Sequence, residues 1–331
     1  MGFLNQQVTD RWAVYCGDSM EMMNALPDQS IHAAIFSPPF GGLYHYSSDD
    51  RDLSNARSYQ EFFDQYDYFV QELHRLLIPG RAIAVHASLV PSGNTGVDSF
   101  TDFPGDVIRA HQKRRWDFIG RHVIWKEPLW VRNRTMAKNL AHRQVTEDAG
   151  KVNFALPDEL LIFRKKGEHI QPIQHPCGLV GNYAGEEPMP ADILKWRGWD
   201  GDQKQNRYSH WIWRRYASSI WDDVRMTRTL PFRPDEDDDD AEKHVHPLQL
   251  DVIERFIDLR TMPGERVLTP FMGVGSEVYV AVQMGRYGIG AELKPSYFDQ
   301  ALRNLAAVDT DRNQVDDIPM FDDDELMALD A

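Results

Sequence analysis

Short apolar runs alternate with amphipathic stretches along most of the chain. Trp12-Ala13-Val14-Tyr15 reads as a strand; a Gly17-Asp18-Ser19 turn and a short helix through Leu26 follow, then a second apolar run, Ile31-His32-Ala33-Ala34-Ile35-Phe36. That run stops abruptly at Ser37-Pro38-Pro39-Phe40, because proline has no N–H to continue a ladder. Phe62, Phe63, Tyr66, Phe69, Val70, Leu73, Leu76 and Leu77 recur at helical spacing and end at Pro79-Gly80, a stripe read as core rather than ligand surface. Ala82-Ile83-Ala84-Val85 is the next strand, and the strand–helix–strand rhythm predicts an α/β fold around a parallel sheet. Residues 130–235 have weak periodicity and read as an insertion, except for Leu160-Leu161-Ile162-Phe163, which looks like another sheet strand near 158–165.

Periodicity returns after the insertion. His246-Pro247-Leu248-Gln249-Leu250 opens a helix to about Leu259, with Pro247 suited to its first turn. Arg266-Val267-Leu268-Thr269 is a strand, followed by the loop Pro270-Phe271-Met272-Gly273-Val274-Gly275-Ser276 and a helix through about Met284. Tyr287-Gly288-Ile289-Gly290-Ala291 is the last strand and ends at Glu292. The divisions are 1–129, 130–235, 236–308 and an acidic tail, 309–331.

Charge changes the picture only once it is located. The chain of 331 residues carries a formal charge of −15, which argues against a polyanionic partner. Residues 235–242 hold seven acids and no base, and residues 309–331 hold nine acids and one base, so the remainder is neutral overall. From Arg109 to Arg143 there are ten Lys or Arg against two acids, with three tryptophans; from Lys195 to Arg233 there are nine against four, with five. Basic residues interleaved with aromatics suit a phosphate-tracking face, and Arg132, Arg134, Lys138, Arg143, Arg197, Lys204 and Arg207 are its candidates. For any one residue a solvated face, or for a tryptophan a buried place in the core, is the more ordinary role. No run approaches a membrane span, and two cysteines give no disulfide framework, so an intracellular, reducing setting, the cytoplasm, is expected. His244 and His246 without further ligands make no metal site.

Two loops carry candidate chemistry. Pro38 and Pro39 leave their carbonyls free, Ser37 adds a hydroxyl acceptor, and Phe40 adds a flat face; together they suit an amino group on a flat heterocycle, although an ordinary proline turn accounts for them equally. In the second loop the glycines let backbone approach a ligand at a helix N-terminus, and Glu292, 19 residues after Gly273, can accept ribose hydroxyls. Val278 stands where a dinucleotide fingerprint has its third glycine, which disfavours a pyrophosphate and leaves a nucleoside such as S-adenosylmethionine. Asp18 or Ser19 is a plausible helix cap.

Ser37 to Phe40 resembles the catalytic motif of the DNA amino-methyltransferases, which methylate N6 of adenine or N4 of cytosine. Further matches are Thr101-Asp102-Phe103-Pro104-Gly105-Asp106, Tyr216-Ala217-Ser218-Ser219-Ile220-Trp221, His246 to Leu250 and Thr269 to Ser276, in the permuted order with the catalytic motif first. The set looks like the orphan methyltransferases of bacteria and phages, within the wider restriction–modification class. The resemblance implies a Rossmann-like, mostly parallel seven-stranded sheet, an inserted target-recognition region, S-adenosylmethionine as cofactor and double-stranded DNA as substrate. A homodimer is compatible with it.

By the same resemblance Ser37, Pro38, Pro39 and Phe40 are catalytic, with Phe40 stacking on a flipped base. Phe271, Gly273, Gly275 and Ser276 line the methionine side of the cofactor, Glu292 takes the ribose, Asp18 lies near the adenine, and His246-Pro247 close the pocket. Many relatives have Asp where this chain has Thr269, so an ionic contact to the cofactor's ammonium from that position is replaced at most by a hydroxyl. Ser at position 37 is commoner among N4-cytosine relatives, although Phe36 departs from their usual Thr; N4-cytosine is therefore favoured over N6-adenine. An RNA methyltransferase and an inactive DNA-binding protein are the remaining alternatives.

Overall fold

The structure is a computed structural model. It describes residues 2–40, 51–91, 99–135, 140–168, 171–179, 181, 183–186, 189–196, 206–232 and 247–308, leaving aside the side chains of 91 and 133–135. Both acidic segments, most of the stretch after Phe40, His244 and His246 lie outside the described residues.

The chain begins with β1 (Asn5–Val8), β2 (Trp12–Cys16), α1 (Ser19–Ala25), β3 (Ala33–Phe36), α2 (Tyr59–Leu76) and β4 (Ala82–Ala87). A small ladder, β5 (Val90–Pro91) with β6 (Phe100–Thr101), precedes α3 (Phe103–Lys113) and β7 (Trp116–Ile124). Then come α4 (Pro128–Thr135), α5 (His142–Asp148), β8 (Asp158–Lys165), α6 (Ala191–Leu194), α7 (Arg207–Tyr216) and β9 (Ile220–Trp221). The last elements are α8 (Leu250–Arg260), β10 (Arg266–Thr269), α9 (Ser276–Gln283), β11 (Tyr287–Glu292) and α10 (Pro295–Ala306).

The described strands form one nine-stranded sheet in the order β1-β2-β11-β10-β3-β4-β8-β7-β9. The seven strands from β2 to β7 match the number that the resemblance implies, although the apolar runs mark six of them and not β7, and two short edge strands enlarge the sheet. One is β1, exposed along its length and paired antiparallel to β2. Its polar sequence, Asn5-Gln6-Gln7-Val8, has no apolar signal from which to predict it. The other is β9, beside β7. Neighbours from β2 to β4 are parallel, whereas β8 lies antiparallel between β4 and β7.

Both faces of the sheet are covered, which explains why its strands read as continuous apolar runs. Phe36, Ile83, Val85 and Leu161 face α2 and α3, where Phe62, Tyr66, Phe69 and Leu73 of the predicted stripe are buried. Ala33, Ile35, Ala82, Ala84, Leu160 and Ile162 face α8 and α9. The α8 helix starts at Leu250 behind Gln249, three residues later than the pattern suggested, because the Leu250 N–H is taken by the Arg228 carbonyl. Pro247 is therefore in the approach loop and not in the first turn.

Leu179, Tyr183, Met189, Tyr208, Ile212 and Tyr216 make a small separate core within 130–235, packed against Leu259 of α8. Charges fasten this segment to α8. Arg255, fully buried, lies over Tyr216 and Trp221 and pairs with Asp223. Asp251, also fully buried, accepts from the Arg225 backbone N–H at 2.8 Å, from the Arg225 guanidinium, and from Arg228.

Burial alone would raise the Asp251 carboxyl, but the arginines hold it below the usual carboxylate range. Its contribution is complete above that ordinary range and is lost as pH falls through the folded-state value. Removing one partner of a buried ion pair leaves uncompensated charge, so Asp251→Ala is expected to cost about 3–5 kcal/mol in urea unfolding. A loss below about 1 kcal/mol would mean that solvent reaches the two arginines.

Candidate functional site

A cleft of about 380 Å³ opens at the carboxyl ends of the central parallel strands, within the range of small-ligand sites. It is lined by the segments that follow β2, β3, β10 and β11, the place where open α/β sheets bind ligands. On one side stand Gly17, Asp18, the loop 270–274, Ser276, Glu277 and Glu292; on the other stand Ser37, Pro38, Pro39, Phe40, His86, Lys126 and Asp158.

The glycine loop is built around Glu292. Gly273 N–H donates to its Oε2 at 2.8 Å and Lys294 N–H to its Oε1 at 2.9 Å, which fixes the carboxylate at the end of β11. Burial pushes the carboxyl up to about 7 despite those donors. Gly275 precedes α9 at φ +89°, a left-handed conformation that L side chains avoid, and a Cβ there would come within 3.1 Å of Ala301. The close helix–strand packing served by a third fingerprint glycine is provided from the strand: a Cβ on Gly288 would meet Val278 at 2.7 Å. Val278 in α9 and Gly288 in β11 have exchanged the usual sizes.

Asp18 caps α1, accepting from Met20 N–H at 2.8 Å, and also lines the cleft. Phe271 borders it between Phe36 and Phe69, and Pro247 lies at its rim. Thr269 is buried at the end of β10 behind the lining, and its hydroxyl has no hydrogen-bond partner among the described residues. Ser276 Oγ is likewise buried without a partner, but within the lining. His246 lies outside the described residues.

Glu277 was not among the expected residues. It is 5% exposed, lines the cleft and forms no ion pair among the described residues, so burial pushes its carboxyl up to about 8. The sequence signal was an acid one position into α9, which reads as an ordinary first-turn acid.

The opposite wall follows from strand alternation. Ala33 and Ile35 face α8, and Ser37, two residues on, continues that face beyond the apolar layer; His86 similarly follows Ala82 and Ala84. Lys126 follows Ile124, and Asp158 precedes Leu160 and Ile162. Four polar side chains thus converge where four strands leave the core. Ser37 Oγ is 2.7 Å from His86 Nδ1, and His86 Nε2 is 3.0 Å from Asp158 Oδ2 in an oblique approach. Lys126 also pairs with Asp158. Phe40 packs on Phe103 and stands 6.0 Å from the His86 ring, with part of its face toward the cleft.

The basic candidates lie elsewhere. Arg132, Arg143 and Arg207 are on α4, α5 and α7, and none lines the cleft. Arg143 is paired with Glu147, and Arg207 lies 4.8 Å over the Trp196 ring. The Arg134 side chain, Lys138, Arg197 and Lys204 are outside the described residues. Trp116 and Trp221 are buried in the core, whereas Trp125 and Trp213 are exposed and available for stacking. Among the described residues no helix is long and apolar enough to cross a membrane.

A model of the DNA methylase family, comprising N6 and N4 methylases, matches residues 31–303. The chain is similar to type II methyltransferase M.BglII of Bacillus subtilis, with 25% identity over 302 residues, 91% of this chain and 70% of that protein. It is also similar to type II methyltransferase M.BamHI of Bacillus amyloliquefaciens, 22% identical over 285 residues, 86% of this chain but 55% of that protein. In fold it is similar to a candidate DNA modification methylase of Thermus thermophilus solved with S-adenosyl-L-methionine, at TM-score 0.57 and 21% identity, covering 90% of this chain and 94% of that one. PvuII DNA methyltransferase, described as cytosine-N4-specific, gives TM-score 0.52 at 15% identity, covering 99% and 95%.

Proposed function

We propose, from the premise that this chain belongs to the N6/N4 DNA methylase family, that the cleft aligns S-adenosylmethionine with the amino group of a base turned out of duplex DNA. The chain is a DNA amino-methyltransferase; the target base and the residue roles are our reading. The observation that carries it is the opposition, across one cleft, of Ser37-Pro38-Pro39-Phe40 and the Glu292-anchored glycine loop.

The residues present fit the cofactor. Its ribose needs acceptors, and each Glu292 oxygen has a lone pair beyond its backbone donor. A Cβ on Gly273 would meet no protein atom within 4 Å, so backbone is bare toward the cleft. Glu277 offers an unpaired buried carboxylate to a cationic group, which supplies the charge that Thr269 lacks. Phe271, Gly275 and Ser276 are assigned to the methionine end, Asp18 to the adenine, and Pro247 to closure. When bound, the cofactor supplies an activated methyl electrophile.

The chain's own residues then do the positioning. Ser37 Oγ and the Pro38 carbonyl accept hydrogen bonds from the amino group, which favours a pyramidal nitrogen and frees its lone pair. Phe40 stacks on the ring, and the apolar wall excludes water. Residues 130–235, with the basic candidates named above and exposed Trp213, are assigned to the duplex.

N4 of cytosine is the proposed target, with N6 of adenine as the alternative, because a serine hydroxyl stands where N6-adenine relatives mostly carry a carboxylate or carboxamide. Methylated DNA digested to nucleosides should yield N4-methylcytosine by mass spectrometry. N6-methyladenine as sole product overturns the base and leaves the remainder intact. Phe40→Ala should weaken productive DNA binding by about 1–3 kcal/mol without changing cofactor affinity, measured by fluorescence anisotropy and calorimetry. A matching loss of cofactor affinity would make Phe40 a wall of the cofactor site instead.

A further inference from the structure

Methyl transfer to an exocyclic amine leaves a proton to be disposed of. As the carbon–nitrogen bond forms and the carbon–sulfur bond breaks, nitrogen becomes cationic and must then release one proton. The Ser37 hydroxyl alone is a poor final acceptor for it. The structure, however, does not leave Ser37 alone.

We propose that His86, oriented by Asp158 and Lys126, receives that proton through the Ser37 hydroxyl. The proposal rests on the reading of Ser37 as acceptor for the target amino group. The Ser37 Oγ–His86 Nδ1 distance of 2.7 Å is a full hydrogen bond. Asp158 Oδ2 at 3.0 Å from Nε2 favours the tautomer that carries its hydrogen on Nε2, so Nδ1 presents its lone pair to the Ser37 O–H. The Ser37 lone pairs are thereby turned toward the cleft, where the amino hydrogens come. When Ser37 accepts a proton from nitrogen, its own passes to Nδ1, and the resulting imidazolium faces the Asp158 carboxylate.

Asp158 is 6% exposed. Burial by itself would raise its carboxyl, but His86 and Lys126 together hold it well below the usual range, so it is ionised when the imidazolium forms. Lys126 balances that charge in the resting site. The order of contacts, serine to histidine to aspartate, is that of a nucleophilic serine triad, with Asp158 approaching His86 obliquely, but acyl chemistry is not supported. Pro38 and Pro39 directly after Ser37 have no N–H with which to form an oxyanion hole. The same serine is suited instead to accept from an N–H and pass a proton inward.

His86 acts through Ser37, so it is a positioning and proton-accepting residue. The test is single-turnover methylation of duplex DNA by His86→Gly, with cofactor and DNA affinities measured alongside. The expected result is a rate about 100- to 10,000-fold lower, the usual range for loss of a general base, with both affinities within about twofold of wild type. Added imidazole restores the rate at least about tenfold, while pyrazole, the same shape but far less basic, does not. His86→Gln, which fills the site but has no basic nitrogen to accept a proton, is as slow as His86→Gly. A rate within about threefold of wild type in either variant overturns the proposal, as does rescue by pyrazole equal to that by imidazole, which leaves a packing role only. Ser37→Ala separates the underlying reading. If that variant is active, the role of Ser37 itself fails; if it is inactive while His86→Gln is active, only the relay fails.

Discussion

Ser37→Ala is expected to slow single-turnover methyl transfer by about 100- to 1,000-fold, with cofactor and DNA affinities close to wild type. The estimate follows from removing one preorganised hydrogen-bonding group aimed at developing charge in a water-poor site. Such a group acts on the transition state, so the loss appears in the rate and not in binding. Three features make the substitution clean. Ser37 is partly exposed in the cleft, is followed by two prolines that hold the loop, and has His86 as its one side-chain partner among the described residues. If Ser37 and His86 form one relay, the Ser37→Ala/His86→Gly double variant is no slower than the slower single variant, because residues acting as a unit are not additive. Multiplicative losses would place the two residues in separate roles. A wild-type rate for Ser37→Ala would return the loop to an ordinary proline turn.

The two loops were legible because each breaks a strand with residues of narrow conformational meaning. Prolines end β3 at Ser37, and glycines carry the chain from β10 into α9 through a left-handed Gly275. Glu292 was legible for a similar reason, as the acid that ends the strand following the glycine loop. The convergence of His86, Lys126 and Asp158 was not. Each lies on a different strand or strand end, and they are 72 and 32 residues from Asp158 in sequence for His86 and Lys126 respectively. What brings them together is the antiparallel placement of β8 between β4 and β7, with Ile124 opposite Asp158 and His86 opposite Leu160. Pairing order is a tertiary fact, and no local period encodes it. A trace was present nonetheless: in each of these strands one polar residue continues the two-residue alternation past its last core position.

Composition misled at one scale and informed at another. As a block the interleaved tryptophans suggested a stacking surface, but singly they read as buried side chains; Trp116 and Trp221 are core residues, and Trp221 stacks on His122 at 4.1 Å. Tryptophan is large enough to serve either purpose, and only burial separates them. The arginines behave likewise. Arg225 and Arg228 pair with Asp251 and Glu254, which ties residues 130–235 to α8 and withdraws both arginines from any phosphate. A count of basic residues therefore overstates the charge offered to DNA.

The empty protein should lose stability between about pH 6.5 and 8.5, and a cationic ligand should reverse the trend. Glu277 and Glu292 have folded-state values raised by burial to about 8 and about 7, from an ordinary 4.5. A raised carboxyl means that the folded chain binds more protons than the unfolded one, so stability falls as pH rises through this interval. The slope is at most about 1.4 kcal/mol per pH unit for each carboxyl still protonated. Glu292 is the less covered of the two and contributes the smaller share. Below about pH 6.5 buried His111 and His32 oppose the trend, because burial lowers both to about 4 and their folded state then binds fewer protons than the unfolded chain. The window above 6.5 therefore isolates the carboxylates. S-adenosylmethionine brings positive charge to Glu277, which favours its ionised form, so binding near pH 7 releases protons and raises Tm most at the alkaline end. Calorimetry in two buffers of different ionisation heat counts the protons, and Glu277→Gln should abolish most of the release and weaken binding by about 1.5–3 kcal/mol. Proton uptake on binding, or a Tm that is flat from pH 6.5 to 8.5 in the empty protein, would remove Glu277 from the cofactor site.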